Sequence, residues 1–357
     1  MIPAHLIPAP DPLQVSWGWF QILLSSTFLL HLLVMNIMLG WAIIAFCNHA
    51  FRDTIPADNQ LISKKLPFTI AFTVNFGVAP LLFLQILYGH FMYTSSVLMA
   101  VFWLSIVALL ILAYYATYIY NLQFSKLSGL HTTLVSGIIA LFLLIITFFF
   151  TNNMSLMVSP GSWGHYFNHP DGMLLNFEDS TLLPRYLHSV FASVAVGGLA
   201  LGLYHDWQQR RGDTTAADHI PSAMSWFSYA TIANFGIGTW YYGGLPTSIR
   251  TVTGVAGAFL LCFLLAGIAA AILSLIYGLQ HRVRHTAAAV LGAIICMVTV
   301  RELVRRQTLA PWFSTSDLEV VPQYSPLILF LLLFAAGLYL VWWMIKLVLP
   351  AKKEVQS

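Results

Sequence analysis

The chain has 357 residues, of which 59% are hydrophobic and only 8% are Asp, Glu, Lys or Arg, against roughly 25% charged in an average soluble protein. With so few charges most of its surface must face something other than water, which excludes an ordinary soluble fold. A net charge of +3, with the basic residues scattered rather than clustered, gives no case for nucleic acid as a partner.

In chain order, nine apolar runs read as helices, near residues 15–47, 67–91, 97–120, 130–152, 183–205, 223–243, 250–279, 286–305 and 324–348. No Asp, Glu, Lys or Arg lies between Lys65 and Lys126, a length that admits two crossings at about 20 residues each. The fold class expected is therefore an all-α polytopic membrane protein of about nine spans in a lipid bilayer. The first basic residue is Arg52, so the first run lacks the charged start of a signal peptide and is expected to stay as a span. Cys47, Cys262 and Cys296 all fall in apolar runs, which argues against a disulfide framework, and no C-x-x-C-H occurs, which excludes covalent c-type haem.

An odd span count puts the termini on opposite sides. With the N-terminus outside, the inner side holds Arg52, Lys64, Lys65, Lys126, Arg210, Arg211, Arg282, Arg284, Lys346, Lys352 and Lys353; the outer side holds Arg185, Arg250, Arg301, Arg305 and Arg306. Cytoplasmic loops favour Lys and Arg, so the orientation expected is N-out, C-in. The loop at 153–182 is expected to be ordered, because Trp163, Tyr166 and Phe167 need somewhere to pack; it reads either as a connector with interfacial aromatics or as a docking surface.

An internal repeat organises the chain. Val74-Asn75-Phe76-Gly77-Val78 recurs as Ala233-Asn234-Phe235-Gly236-Ile237, and His31 in the first span answers to His188 in the fifth. Residues 1–157 read as one four-helix bundle, 158–182 as an outer loop, 183–306 as a second four-helix bundle, and 307–357 as a loop, a ninth helix and a tail.

Ionisable groups inside a membrane are costly and mark function by default. His31 lies mid-span, and His188 is followed on its own helical face by Ala192, Ala195 and Gly202, with Gly198 close by. Such a stripe leaves room for a flat group beside an imidazole able to ligate haem iron; the other reading is an imidazole bonded to a neighbouring carbonyl, with the small residues serving helix packing. His90, His131, His205, His281 and His285 sit near span ends and read as interfacial, while His5, His49, His165, His169 and His219 read as solvated. Glu302 is the one carboxylate placed inside the apolar runs. It suits a salt bridge to the adjacent arginines, a proton carrier or a haem ligand. Arg250 suits lipid headgroups or a haem propionate.

These segments together resemble subunit I of the cytochrome bd quinol oxidase family. Phe20-Gln21 through His31 to Gly40 is similar to its first helix, and Asn75-Phe76-Gly77-Val78-Ala79 to its second. Leu130-His131 and Asn152-Asn153-Met154-Ser155-Leu156-Met157 look like its fourth, and Arg185-Tyr186-Leu187-His188-Ser189 like its fifth. Ser248-Ile249-Arg250-Thr251-Val252-Thr253-Gly254 resembles its seventh, and Glu302-Leu303-Val304-Arg305-Arg306-Gln307, then Pro311-Trp312, its eighth. The resemblance implies iron ligation by His31, His188 and Glu302, with Arg250 and Arg305 at a haem; the sixth ligands stay open, and His90, at the outer end of the second span, is a candidate for an additional one. Three departures bear on the chemistry. The third span carries no acid, Val252 stands where the family has a haem-ligating methionine, and the family's long quinol-binding loop shrinks to residues 243–248.

The function expected is a membrane-embedded b-type cytochrome, with one to three haem b groups, in a bacterial inner (plasma) membrane. It would pass electrons between the quinone pool and a c-type cytochrome or iron–sulfur subunit on the outer face, alongside a second membrane subunit. The alternatives are a terminal quinol oxidase drawing protons past Ser105, Tyr114 and Tyr115, and a haem-free membrane anchor.

Overall fold

Apolar runs this long bury their backbone amides only by coiling, since hydrocarbon offers them no other partner. A computed structural model of the chain describes residues 3–52, 56–126, 129–251 and 253–354. All nine expected runs are helical: α1 (Trp17–Phe51), α2 (Asp58–Leu98), α3 (Ala100–Leu122), α4 (Gly129–Met157), α5 (Leu182–Arg210), α6 (Ile220–Gly244), α8 (Gly254–Leu279), α9 (Val283–Leu309) and α10 (Tyr324–Glu354). A one-turn helix, α7 (Thr247–Arg250), precedes α8, so Arg250 sits ahead of the seventh span rather than at its first turn. Eight of these helices are long and apolar enough to cross a membrane; α6, at 25 residues, is long enough, but it is not among the eight. No β-strand forms among the described residues. The chain is an all-α polytopic membrane protein.

The helices overrun the apolar runs that announce them. α2 has 41 residues, about 60 Å at 1.5 Å per residue, twice the roughly 30 Å hydrocarbon core. Its first turns carry Asp58, Lys64 and Lys65, polar residues that helix geometry tolerates beyond the lipid. Pro67 and Pro80 lie within it, and the helical torsions break at Tyr88 (φ −132°, ψ 27°).

α1 packs on α2 and α4, α3 on α4, α5 on α6, and α8 on α9, while α1 and α5 cross at the centre. At that crossing there is no room for side chains. A Cβ on Gly40 would stand 2.0 Å from the Ser193 carbonyl oxygen, and one on Gly197 would stand 2.9 Å from the Gly40 backbone. The Trp41 indole donates to the Gly197 carbonyl (3.0 Å), and the buried Ser193 hydroxyl to Asn36 Oδ1 (2.8 Å). Asn36 answers to Ser193 and Gly40 to Gly197 with the same spacing as His31 to His188, so the repeat meets itself along α1 and α5. α10 stands apart: from Tyr324 to Leu347 every residue is exposed.

The α4–α5 connection is ordered. It lies at the face where α1 begins, called here the N-terminal face. Trp163, 1% exposed, donates to the Leu156 carbonyl (2.8 Å). Asn152 Oδ1 accepts from the Asn176 amide (2.8 Å), and Ser155 Oγ accepts from Asn176 Nδ2 (2.8 Å) and donates to Asp179. Phe167 and Phe177 remain exposed.

Candidate functional site

His31 projects from α1 toward α2. Its Nδ1 lies 3.0 Å from the Thr73 carbonyl oxygen. A carbonyl only accepts, so Nδ1 carries the proton and the neutral ring keeps its free lone pair on Nε2. Among the described residues Nε2 has no protein partner. One turn beyond Thr73, the ring lies against Gly77, where a Cβ would come within 3.0 Å of both Cε1 and Nδ1. Glycine is therefore required there by the close approach of the imidazole.

His188 repeats the arrangement between α5 and α6. A Cβ on Gly238 would stand 3.4 Å from its Cε1 and 3.5 Å from its Nδ1. Asn234, one turn earlier, faces the ring. His188 Nδ1 and Asn234 Oδ1 are both buried without a hydrogen-bond partner. Thr73 with Gly77 thus answers to Asn234 with Gly238. The sequence motif pairs Gly77 with Gly236 instead, yet a Cβ on Gly236 would meet nothing within 4 Å. The two α-helices are therefore shifted by two residues relative to the motif. The small-residue stripe after His188 is filled, not open: a Cβ on Gly198 would stand 2.7 Å from the Phe227 amide nitrogen, and one on Gly202 3.0 Å from Met224 Sδ. α6 occupies the space read from sequence as room for a flat group, and its Gly238 backs the ring at Cε1 and Nδ1, so any such group would sit on the Nε2 side.

Glu302, 6% exposed, has both oxygens engaged. Arg301 donates to Oε1 (3.0 Å), while Arg305 (2.9 Å) and Gln21 (3.2 Å) donate to Oε2. In this arrangement the carboxylate is an ion-pair centre, the first of the three roles open to it from sequence. The guanidinium of Arg301 lies over Phe28 (4.2 Å), three residues before His31 on α1, so the cluster and the imidazole share one wall. Arg305 faces Tyr88 (5.3 Å). Arg250 is exposed and donates to the Leu245 carbonyl (3.0 Å) within its own turn; none of its bonds reaches His31, His188 or Glu302. His90 is packed between Phe91 (4.3 Å) and Phe313 (4.6 Å) and lines a cavity of about 220 Å³ beside Asp11, with no contact to either span histidine. Val252 lies outside the described residues.

His205, read as interfacial, is buried. It is 5% exposed and its Nε2 donates to Asp58 Oδ1 at 2.6 Å, while His219 stacks on it at 5.0 Å. Asp58, also buried, is a second carboxylate inside the helices beside Glu302. Asn48 and Asn59 bond to each other next to it (2.8 Å). Asn48 and His205 have the same spacing as His31 and His188, so laying α1 on α5 residue by residue would have found this group, as it would have found Asn36 with Ser193.

No three His, Cys, Asp or Glu side chains converge on a metal position among the described residues. A bare ion has no chelating set here. A haem needs less, because its ring nitrogens fill the equatorial positions and one imidazole completes an axial one. A glycine-backed imidazole with Nδ1–H held by a carbonyl meets that need at His31; His188 has the same glycine backing and faces Asn234, but its Nδ1 makes no hydrogen bond among the described residues. No protein-family model matches the chain, and no curated protein does.

Proposed function

We propose that this chain is a membrane-embedded b-type cytochrome subunit in which His31 and His188 each supply one axial ligand to a haem b. The reading is carried by one observation: two half-buried imidazoles at equivalent places in the repeat, each against a glycine of the adjacent helix and, among the described residues, each without a hydrogen bond at Nε2. Bound haem would supply one-electron redox chemistry. The protein's part is orientation and insulation. The Thr73 carbonyl fixes the tautomer and ring plane of His31 and raises its basicity. Gly77 and Gly238 let each ring lie close to a helix backbone. The α1–α5 crossing sets the spacing between the two rings.

Electrons would pass between the quinone pool and a c-type cytochrome or iron–sulfur subunit on the outer face of a bacterial plasma membrane. The similarity to cytochrome bd subunit I supports the same reading, as does a third span without carboxylates, which leaves oxygen reduction without a proton route there. Glu302 serves this reading as an ion-pair centre beside His31 rather than as an iron ligand. Pyridine haemochrome quantification and a reduced-minus-oxidised spectrum of the purified full chain test it. Wild type should show a b-type alpha band, and His31→Ala and His188→Ala should each lose one haem. A wild-type protein without that band, or variants with full haem content, would refute it.

A further inference from the structure

Beside the Glu302 cluster, at the N-terminal face, the start of α1, the break in α2, the end of α9 and the loop after it line a half-open cavity of about 340 Å³. A water needs roughly 15 Å³ of such volume, so the space admits a molecule. Its walls are aromatic, from Trp17, Tyr88 and Phe313, and its rim carries Ser314, Thr315 and Ser316. Arg306 lines it with the guanidinium laid over Trp17 at 5.0 Å. Asp317 and Glu319, on the same loop, do not line it.

Two donors here are unanswered among the described residues. Tyr88 is 1% exposed; its hydroxyl faces the Arg306 guanidinium, which can only donate to the hydroxyl oxygen, so the O–H proton has no acceptor. The Nε of Arg306 is also buried without a partner. The charges do not balance either. Arg301 and Arg305 share the single carboxylate of Glu302, and Arg306 forms no ion pair among the described residues. Arg306 is half-buried, so its missing counter-charge is a modest deficit; buried donors without an acceptor are the larger one. Both deficits are removed by one kind of ligand, an anionic group with several acceptor oxygens, and guanidinium recognises phosphate by paired N–H donors. A neutral ring with carbonyl oxygens would satisfy the donors and leave the charge.

We propose that this cavity binds a phosphate group, with Arg306 and the Tyr88 hydroxyl as its donors and the aromatic walls against the organic part of the molecule. At the end of a bundle of membrane-spanning helices the source of that group is a phospholipid headgroup; free phosphate presents the same chemistry. The site does not depend on the haem reading, and its test does not read electron transfer.

Native mass spectrometry of the full-length protein released from mild detergent reads retained phospholipid directly. Wild type should keep a phospholipid whose retention falls about tenfold in Arg306→Gln and about threefold in Tyr88→Phe. Arg284→Gln, in the exposed pair with Asp206 at the opposite face, should keep it. If millimolar inorganic phosphate displaces the lipid, and delipidated protein takes up labelled phosphate with the same dependence on the two variants, free phosphate is the source and the phosphate site stands. Equal phospholipid retention in wild type and both variants would overturn the proposal. So would a co-purifying quinone lost in both variants, or loss of haem absorbance in Arg306→Gln with phospholipid unchanged, which would give the guanidinium to a haem carboxylate. Should Arg306→Gln fail to fold, Tyr88→Phe decides alone, since it removes one hydroxyl whose proton has no acceptor among the described residues; unchanged retention there overturns the site.

Discussion

Gly77→Ala is the sharpest probe of the His31 site. The new methyl would lie 3.0 Å from Cε1 and Nδ1, where ordinary contact begins at 3.4 Å, so the ring must retreat by about 0.4 Å. Its hydrogen bond to Thr73, now 3.0 Å, then stretches to about 3.4 Å, at the edge of useful geometry. Losing one such bond costs about 1 kcal/mol, or about fivefold in the population of rings held in the ligating orientation. Gly238→Ala tests the same logic at lower pressure: at 3.4–3.5 Å from His188 its methyl makes ordinary contact, and haem retention should change less than about twofold. Gly236→Ala meets open space and should only gain helix stability, by up to about 1 kcal/mol. Haem content of the three purified variants, measured beside their thermal stability, ranks them. If Gly77→Ala keeps wild-type haem, or Gly236→Ala loses as much as Gly77→Ala, the imidazole–glycine contact is not what seats the ligand.

Other substitutions probe the frame. Gly197→Val should destabilise the protein by about 3 kcal/mol, because a side chain at the α1–α5 crossing forces backbones apart; thermal unfolding at the wild-type temperature would count against the crossing. Glu302→Gln strands Arg305, 6% exposed, and should cost about 3–5 kcal/mol with haem content unchanged. Loss of a haem at wild-type stability would instead make Glu302 an iron ligand. His205→Ala leaves Asp58 buried without its 2.6 Å partner and should cost a similar amount, about 3 kcal/mol, in the same melting assay, with His219→Ala, which loses only a stacking contact, much milder.

The helical architecture was legible because the charge-free stretches are longer than any soluble fold needs, and every run read as a span is a helix. Ends were less legible: α2 starts at Asp58 rather than near 67, since hydropathy registers where lipid stops and not where the helix does. His31 and His188 were visible as isolated polar residues in apolar runs. Their glycine backing was half visible. The motif pointed to Gly77 correctly and to Gly236 by a shift of two residues, because contact across a helix pair depends on facing and not on local similarity. His205 and Asp58 were hidden by position. A polar residue near a span end reads as interfacial unless its partner, 147 residues away in sequence, is known. Gln21 and Arg306 escaped notice for the same reason: neither residue type is unusual until the cavity and the ion pairs around it are assembled.

The bare contact between Gly40 and Gly197 has a mechanical consequence. Where helices meet through interlocking side chains, rotamer changes let them slide; where backbone rests on backbone, nothing can rotate out of the way. The two arms of the repeat are yoked at that point and resist sliding past each other. His31 and His188, nine residues before the yoke on each arm, are therefore spaced by a backbone contact rather than by side-chain rotamers.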